Sequence, residues 1–221
     1  MKIIPKQAKK IGEWLFKKPE KKLVEFLLPK VPKCIETYHL TAMTLVWIVL
    51  AVIGGYLANK DLAYLYLTSV AIVGQYITDL LDGAVGRLRN TGLVRWGFYF
   101  DHILDFGFLC SILLGYWFVT PDQYKYVVLI TLILSAAYFV HTILYFGATG
   151  KFEISSFGIG PTEMRLVLVL VNTMLALFDK VIFVNFLKLY FLVNAVYLVV
   201  NIFLAQKKLW EMDMKNKERK S

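Results

Sequence analysis

Apolar residues fill this chain in long stretches, separated by short polar segments. A window wide enough to cross a hydrocarbon core, about 20 residues of helix, places six candidate spans at roughly 39–58, 62–81, 98–119, 125–147, 164–179 and 182–204. None of them alternates apolar and polar residues as a barrel strand does, and a backbone inside lipid has to satisfy its own hydrogen bonds. The pattern predicts an all-α integral membrane protein, a bundle of six transmembrane helices. The first stretch starts too far along the chain and is too long for a signal h-region, and no small-residue cleavage site follows it, so it is expected to stay in the protein.

Ahead of the first span, "KQAKKIGEWLFKKPEKKLVEFLLPKVPK" sets Ile11, Trp14, Leu15, Leu23, Phe26 and Leu27 at helical spacing among lysines, with Pro19 interrupting. This predicts an interfacial amphipathic helix lying along the membrane surface. The C-terminal "KKLWEMDMKNKERKS" is more polar and is expected to fray. Three parts result: an interfacial segment over 1–36, a membrane domain over 37–205 and a basic tail over 206–221. Short connections near Asn59, Pro121 and Asp179 predict up-and-down neighbours. The longer "GATGKFEISSFGIGPTEMR" reads as a loop, with Pro161 in the first turn of the fifth span.

Composition agrees with the hydropathy pattern: 58% of residues are hydrophobic and 15% aromatic, well above a soluble average. The +9 net charge does not read as a nucleic-acid footprint, because the lysines flank the spans, where anionic lipid head groups are the simpler partner. Of the 25 basic residues, 21 fall on one side of the predicted topology, including ten lysines before the first span. The positive-inside rule then puts both termini, and the connection between spans two and three, in the cytoplasm. Cys34 and Cys110 form no motif and are expected to be free thiols.

That connection is where charge breaks the apolar pattern. "DLLDGAVGRLRNTGLVRWGFYFDHILD" holds four aspartates and three arginines. Asp79 and Asp82 lie at i and i+3, and Asp101 and Asp105 at i and i+4, so each pair shares a helix face. On antiparallel neighbouring helices the four carboxylates converge just inside the membrane, where ionisable groups mark function. Oxygen ligands without accompanying cysteine or multiple histidine favour Mg²⁺, Mn²⁺ or Ca²⁺ over zinc, and a carboxylate cluster bridged by two such ions grips phosphates. Gly83 and Gly86 leave room beside the backbone, and Arg87 offers a bidentate phosphate donor. The alternative is a set of interfacial charges that snorkel or pair with Arg87, Arg89 and Arg95.

The stretch resembles the signature of the CDP-alcohol phosphotransferases, D-x-x-D-G-x-x-A-R, eight residues, then G-x-x-x-D-x-x-x-D. Asp79, Asp82, Gly83, Arg87, Gly97, Asp101 and Asp105 occupy the matching positions; Gly86 replaces the usual alanine, and nine residues separate Arg87 from Gly97. The resemblance implies two divalent cations, Mg²⁺ or Mn²⁺, held by Asp79, Asp82, Asp101 and Asp105. It also implies a CDP-linked donor bound with Gly83, Gly86, Arg87 and Gly97, Asp105 as base toward an acceptor hydroxyl, and a homodimer. "YFDHILD" and "GPTEMR" are similar to segments of choline and ethanolamine phosphotransferases. By that likeness His102 and Glu163 are candidate catalytic residues, and the reaction is expected to join CDP-choline or CDP-ethanolamine to diacylglycerol with release of CMP. Alternatively, His102 is an interfacial hydrogen-bonding residue and Glu163 favours a helix N-terminus.

Other readings stay open. Within the family, CDP-diacylglycerol and a small polar alcohol are the alternative substrates. A membrane prenyltransferase also binds diphosphate through Mg²⁺ and aspartates, but in motifs far apart in sequence. A cation-coupled transporter would be expected to carry its carboxylates near the bilayer midplane. Thr41 and Thr44 match a threonine common in the family near the first span, although Tyr38 stands where asparagine is more usual. His141, Asn172, Asn185, Lys188 and Asn194 are expected to make interhelical hydrogen bonds or line a cavity.

Overall fold

The computed structural model describes residues 9–11, 14–153, 160–178 and 180–218. The helices run α1 (Lys17–Leu27), α2 (Thr37–Leu57), α3 (Leu65–Arg89), α4 (Val94–Val119), α5 (Lys125–Thr149), α6 (Pro161–Leu177) and α7 (Lys180–Glu218). Two three-residue strands, β1 (Lys9–Ile11) and β2 (Lys151–Glu153), form a parallel pair. Among the described residues, four stretches are long and apolar enough to cross a membrane: Thr37–Leu57, Val94–Val119, Asp122–Thr149 and Val184–Lys215. The second and fifth expected spans are not among them. Gln75, Thr78, Asp79 and Asp82 dilute the apolar character of α3, and α6 has only 17 residues. Leu189, Leu192, Val196 and Phe203 of α7 point outward with more than half their surface exposed, as expected where lipid is the solvent.

Several boundaries differ from the sequence expectation. Ile11 belongs to β1, and α1 starts at Lys17 with Pro19 in its first turn. There a missing N–H costs nothing, so Pro19 opens the helix where an interruption was expected. The α3 helix runs on past the expected end of its span to Arg89, where Asn90 adopts a left-handed conformation (φ 51°) that stops it. Since α4 begins at Val94, the acidic positions and Gly83, Gly86, Arg87 and Gly97 all sit on helix. The C-terminal segment does not fray at 206; α7 continues through it to Glu218. Pro161 opens α6 as expected.

Packing is less sequential than short loops suggest. The largest interfaces join α2 to α3, α2 to α4, α5 to α7 and α3 to α6, whereas α3 and α4 pack mainly through α2. Glycines allow α2 to do this. A Cβ on Gly55 would lie 2.2 Å from the Gly115 Cα of α4, and one on Gly54 would lie 2.7 Å from the Thr68 Oγ1 of α3. With Ala51, Ala71, Ile72, Phe108 and Ile112 buried around this crossing, small residues bring the backbones close, as in membrane bundles generally.

Polar contacts tie down both ends of this unit. Arg89 donates to the carbonyls of Pro32 (2.9 Å), Lys33 (3.2 Å) and Ile35, and pairs with Glu36 at 3.4 Å. The end of α3 thereby holds the segment that leads into α2. At the other end Tyr116 donates to Asn172 Oδ1 (2.9 Å) and Asn172 Nδ2 to Ser69 Oγ (3.1 Å), which links α4, α6 and α3. Asn172 is an interhelical link, as expected; Asn194 bonds within its own helix, to the Tyr190 carbonyl.

Gly55→Ala is expected to lower the thermal midpoint in detergent, since overpacking of this kind costs about 1–3 kcal/mol. Gly97→Ala, whose added carbon meets nothing within 4 Å, should leave the midpoint unchanged or raise it. Equal midpoints for the two variants would contradict the close approach of α2 and α4.

Candidate active site

Helical spacing does the first part of the assembly. Asp79 and Asp82 are three residues apart on α3, and Asp101 and Asp105 four apart on α4. Across the gap between these helices, carboxylate oxygens of Asp79, Asp101 and Asp105 lie within 4.8 Å of one another. Oxygens that close on a common point repel strongly in a low-dielectric setting, and a divalent cation at that point turns the repulsion into attraction. A hard-oxygen donor set suits Mg²⁺ or Mn²⁺.

Asp82 is expected in the same group, but one of its oxygens faces elsewhere. It is buried, and its Oδ2 accepts a hydrogen bond from Thr41 Oγ1 of α2 at 2.8 Å. The neighbouring Thr37 hydroxyl donates to the Asp82 carbonyl at 2.7 Å. The helix that separates α3 from α4 therefore also orients the fourth carboxylate.

Arg165 is the partner that the local sequence pattern did not reveal. Its Nη2 pairs with Asp79 Oδ2 at 2.8 Å, and its guanidinium stands 5.5 Å from the centre of the Tyr76 ring. The pair spans 86 residues, so no local periodicity could connect them. Gln75 was missed as well: it is 1% exposed, and its Nε2 donates to Asp105 Oδ1 at 2.7 Å. One signal did exist, because Gln75 lies one helical turn from Asp79 on the same face of an apolar stretch.

The arginines sort differently from the interfacial-charge alternative. Arg89 is committed to Glu36 and three carbonyls. Arg87 is exposed and bonds to no side chain among the described residues, with its Nη1 3.2 Å from where a Gly83 Cβ would stand. Glycine at 83 thus lets the Arg87 side chain fold along α3. At Gly86 the space is taken by Thr37, whose Oγ1 would be 3.3 Å from an added Cβ, so that glycine serves the approach of α2; Gly97 faces open space.

His102 Nδ1 lies 2.7 Å from the Phe98 carbonyl and 3.9 Å from Asp101 Oδ2. Since a carbonyl oxygen only accepts, the contact with Phe98 places a proton on Nδ1. Glu163 stands outside the carboxylate group. Its Oε2 accepts from Gly160 N at 2.8 Å and its Oε1 from Phe16 N at 3.1 Å, so it caps α6 and ties the helix to the segment before α1. Thr162 donates to buried Glu20 of α1. These contacts fix the start of α6 and with it Arg165. His141 sits on α5 between Tyr138 and Tyr145, with ring centres 6.2 and 6.4 Å away.

Residues 31–205 match the family CDP-alcohol phosphatidyltransferase. No curated protein and no solved structure matches the chain.

Removing the donor to Asp82 tests the support of this site. Thr41→Val is expected to weaken Mn²⁺ binding about tenfold or more, the usual effect of losing an outer-shell hydrogen bond. Thermal stabilisation by added Mn²⁺ measures it; a Mn²⁺ dependence unchanged from wild type would detach Thr41 from the metal site.

Proposed function

The chain belongs to the CDP-alcohol phosphatidyltransferase family, and from that premise we propose a metal-dependent transfer from a CDP-linked donor to an alcohol acceptor, with CMP as the leaving group. Membership makes the protein a phospholipid-synthesis transferase of phosphate-containing groups, and its apolar helices make it a membrane protein. The observation that carries the finer reading is the approach of Asp79, Asp101 and Asp105 to within 4.8 Å.

The residues divide the work as follows. Asp79, Asp101 and Asp105, together with Asp82, would hold two Mg²⁺ or Mn²⁺ ions. When bound, these ions neutralise the donor's diphosphate and stabilise charge on the leaving phosphate. Arg87, and Arg165 beside Asp79, present guanidinium donors to phosphate oxygens. Open space at Gly97 and the low profile of Gly83 admit the nucleotide. The acceptor oxygen attacks the phosphorus distal to cytidine as its proton passes to the Asp105 carboxylate. The bond from that phosphorus to the bridging oxygen breaks, and the oxygen departs with CMP. Catalysis is then mainly positioning and electrostatics.

His102, beside Asp101, assists at the acceptor hydroxyl. Glu163 acts by fixing the start of α6, hence Arg165. The "YFDHILD" and "GPTEMR" segments support CDP-choline or CDP-ethanolamine as donor and diacylglycerol as acceptor. We read α2 to α7 as six membrane crossings with both termini and the site on the cytoplasmic side, supported by the one-sided distribution of basic residues. The α1 helix, with exposed Phe26 among its lysines, lies on the inner surface against anionic lipid. A homodimer is the proposed assembly.

Purified protein in detergent is expected to release CMP from a CDP-linked donor only with Mg²⁺ or Mn²⁺ present, and EDTA to abolish the release. A matrix of CDP-choline, CDP-ethanolamine and CDP-diacylglycerol against diacylglycerol, serine, inositol phosphate and glycerol phosphate identifies the pair; turnover only with CDP-diacylglycerol and a small alcohol would replace the choline or ethanolamine assignment. Prenyl transfer or ion flux without CMP release would overturn the reading. Asp105→Asn should lose turnover while remaining folded, and full activity in that variant would refute its role as base.

A further inference from the structure

Gln75 combines features that packing alone does not account for. It lies on α3 four residues before Asp79, and only 1% of it is exposed. Its carboxamide donates to Asp105 Oδ1 at 2.7 Å, while its Oε1 is buried with no hydrogen-bond partner among the described residues. An ionised carboxylate only accepts, so the contact atom has to be the NH₂ group and the orphan has to be the oxygen. A buried acceptor without a partner destabilises the fold. An apolar residue of similar size would avoid that penalty.

The geometry suggests what the amide supplies instead. The α3 and α4 helices are joined by residues 90–93 and run in opposite directions. One turn beyond Asp79 on α3 and one turn beyond Asp101 on α4 therefore reach a common, deeper level, where Gln75 meets Asp105. A neutral amide restrains the carboxylate's rotation and leaves its charge in place.

The turn that carries Gln75 is itself held firmly. The Thr78 hydroxyl donates toward the carbonyls of Gly74 (3.1 Å) and Gln75 (3.0 Å) and accepts from Trp47 Nε1 at 3.2 Å. The Trp47 ring covers Gly74, where an added Cβ would come within 2.7 Å of it. Trp47 belongs to α2, so the same helix that orients Asp82 through Thr41 steadies the backbone beneath Gln75.

We propose that Gln75 is a positioning residue that orients Asp105 for the acceptor hydroxyl, retained at the expense of an unsatisfied buried oxygen. This rests on the reading of Asp105 as the base. Gln75→Met keeps the volume and removes both the donor and the orphan acceptor. Its turnover at saturating donor and acceptor should fall about ten- to hundredfold, the range for losing an outer-shell partner, with donor KM little changed. The metal-free thermal midpoint should hold or rise. Gln75→Glu, isosteric but without the NH₂ donor, should be impaired at least as much. Wild-type turnover in either variant, or a loss of turnover in Gln75→Met that merely follows a lowered midpoint, would overturn the assignment. Asp105→Asn measured alongside separates the two levels: full activity there would sink the base assignment and this proposal with it. An inactive Asp105→Asn beside a fully active Gln75→Met would sink this proposal alone.

Discussion

Mutual repulsion among carboxylates brought to one point is the constraint around which this molecule is organised. Asp79, Asp101 and Asp105 approach within 4.8 Å on helices otherwise built largely from apolar residues. Left to themselves, acidic side chains at such a location would turn apart or take up protons. Holding them together takes rigid backbones and specific partners. Arg165 on Asp79 and Gln75 on Asp105 are two of those partners, each with a donor at hydrogen-bonding distance.

The rigidity comes largely from α2. It fits against α3 and α4 at once because Gly54 and Gly55 remove the side chains that would keep the backbones apart. Along its length it places Thr37 and Thr41 on Asp82 and Trp47 on Thr78. Arg89 then fastens the entry to α2 at the end of α3. One helix thus sets the spacing of the acidic helices, orients one carboxylate and braces the turn beneath another. The start of α6, fixed by Glu163 and by Thr162 on Glu20, brings Arg165 to Asp79.

Much of this was legible in the sequence where the information is local. Spacings of three and four residues put the aspartates on shared faces, long apolar runs marked the four helices able to cross a membrane, and Pro161 marked the start of α6. What the sequence hid is long-range or compensatory. Arg165 is 86 residues from Asp79, so nothing near either residue announces the pair. The approach of Asp79, Asp101 and Asp105 could be foreseen, but the attachment of Asp82 to Thr41 depends on α2 lying between helices that short-loop reasoning would have paired directly. The extension of α3 to Arg89 was missed because charge was read as the end of a span, although helix and bilayer need not end together. Glu163 shows the opposite case. A carboxylate at the third position of a helix has a local capping role, and here one oxygen caps α6 while the other accepts from Phe16 N.

The most direct measurement is electron paramagnetic resonance of Mn²⁺ titrated into the purified protein. The arrangement of Asp79, Asp82, Asp101 and Asp105 predicts saturable binding of an ion pair, roughly 3.5–4 Å apart, seen as spin-coupled Mn²⁺ that disappears in Asp101→Asn. Mn²⁺ that stays free, or a bound signal indifferent to Asp101, would contradict the account.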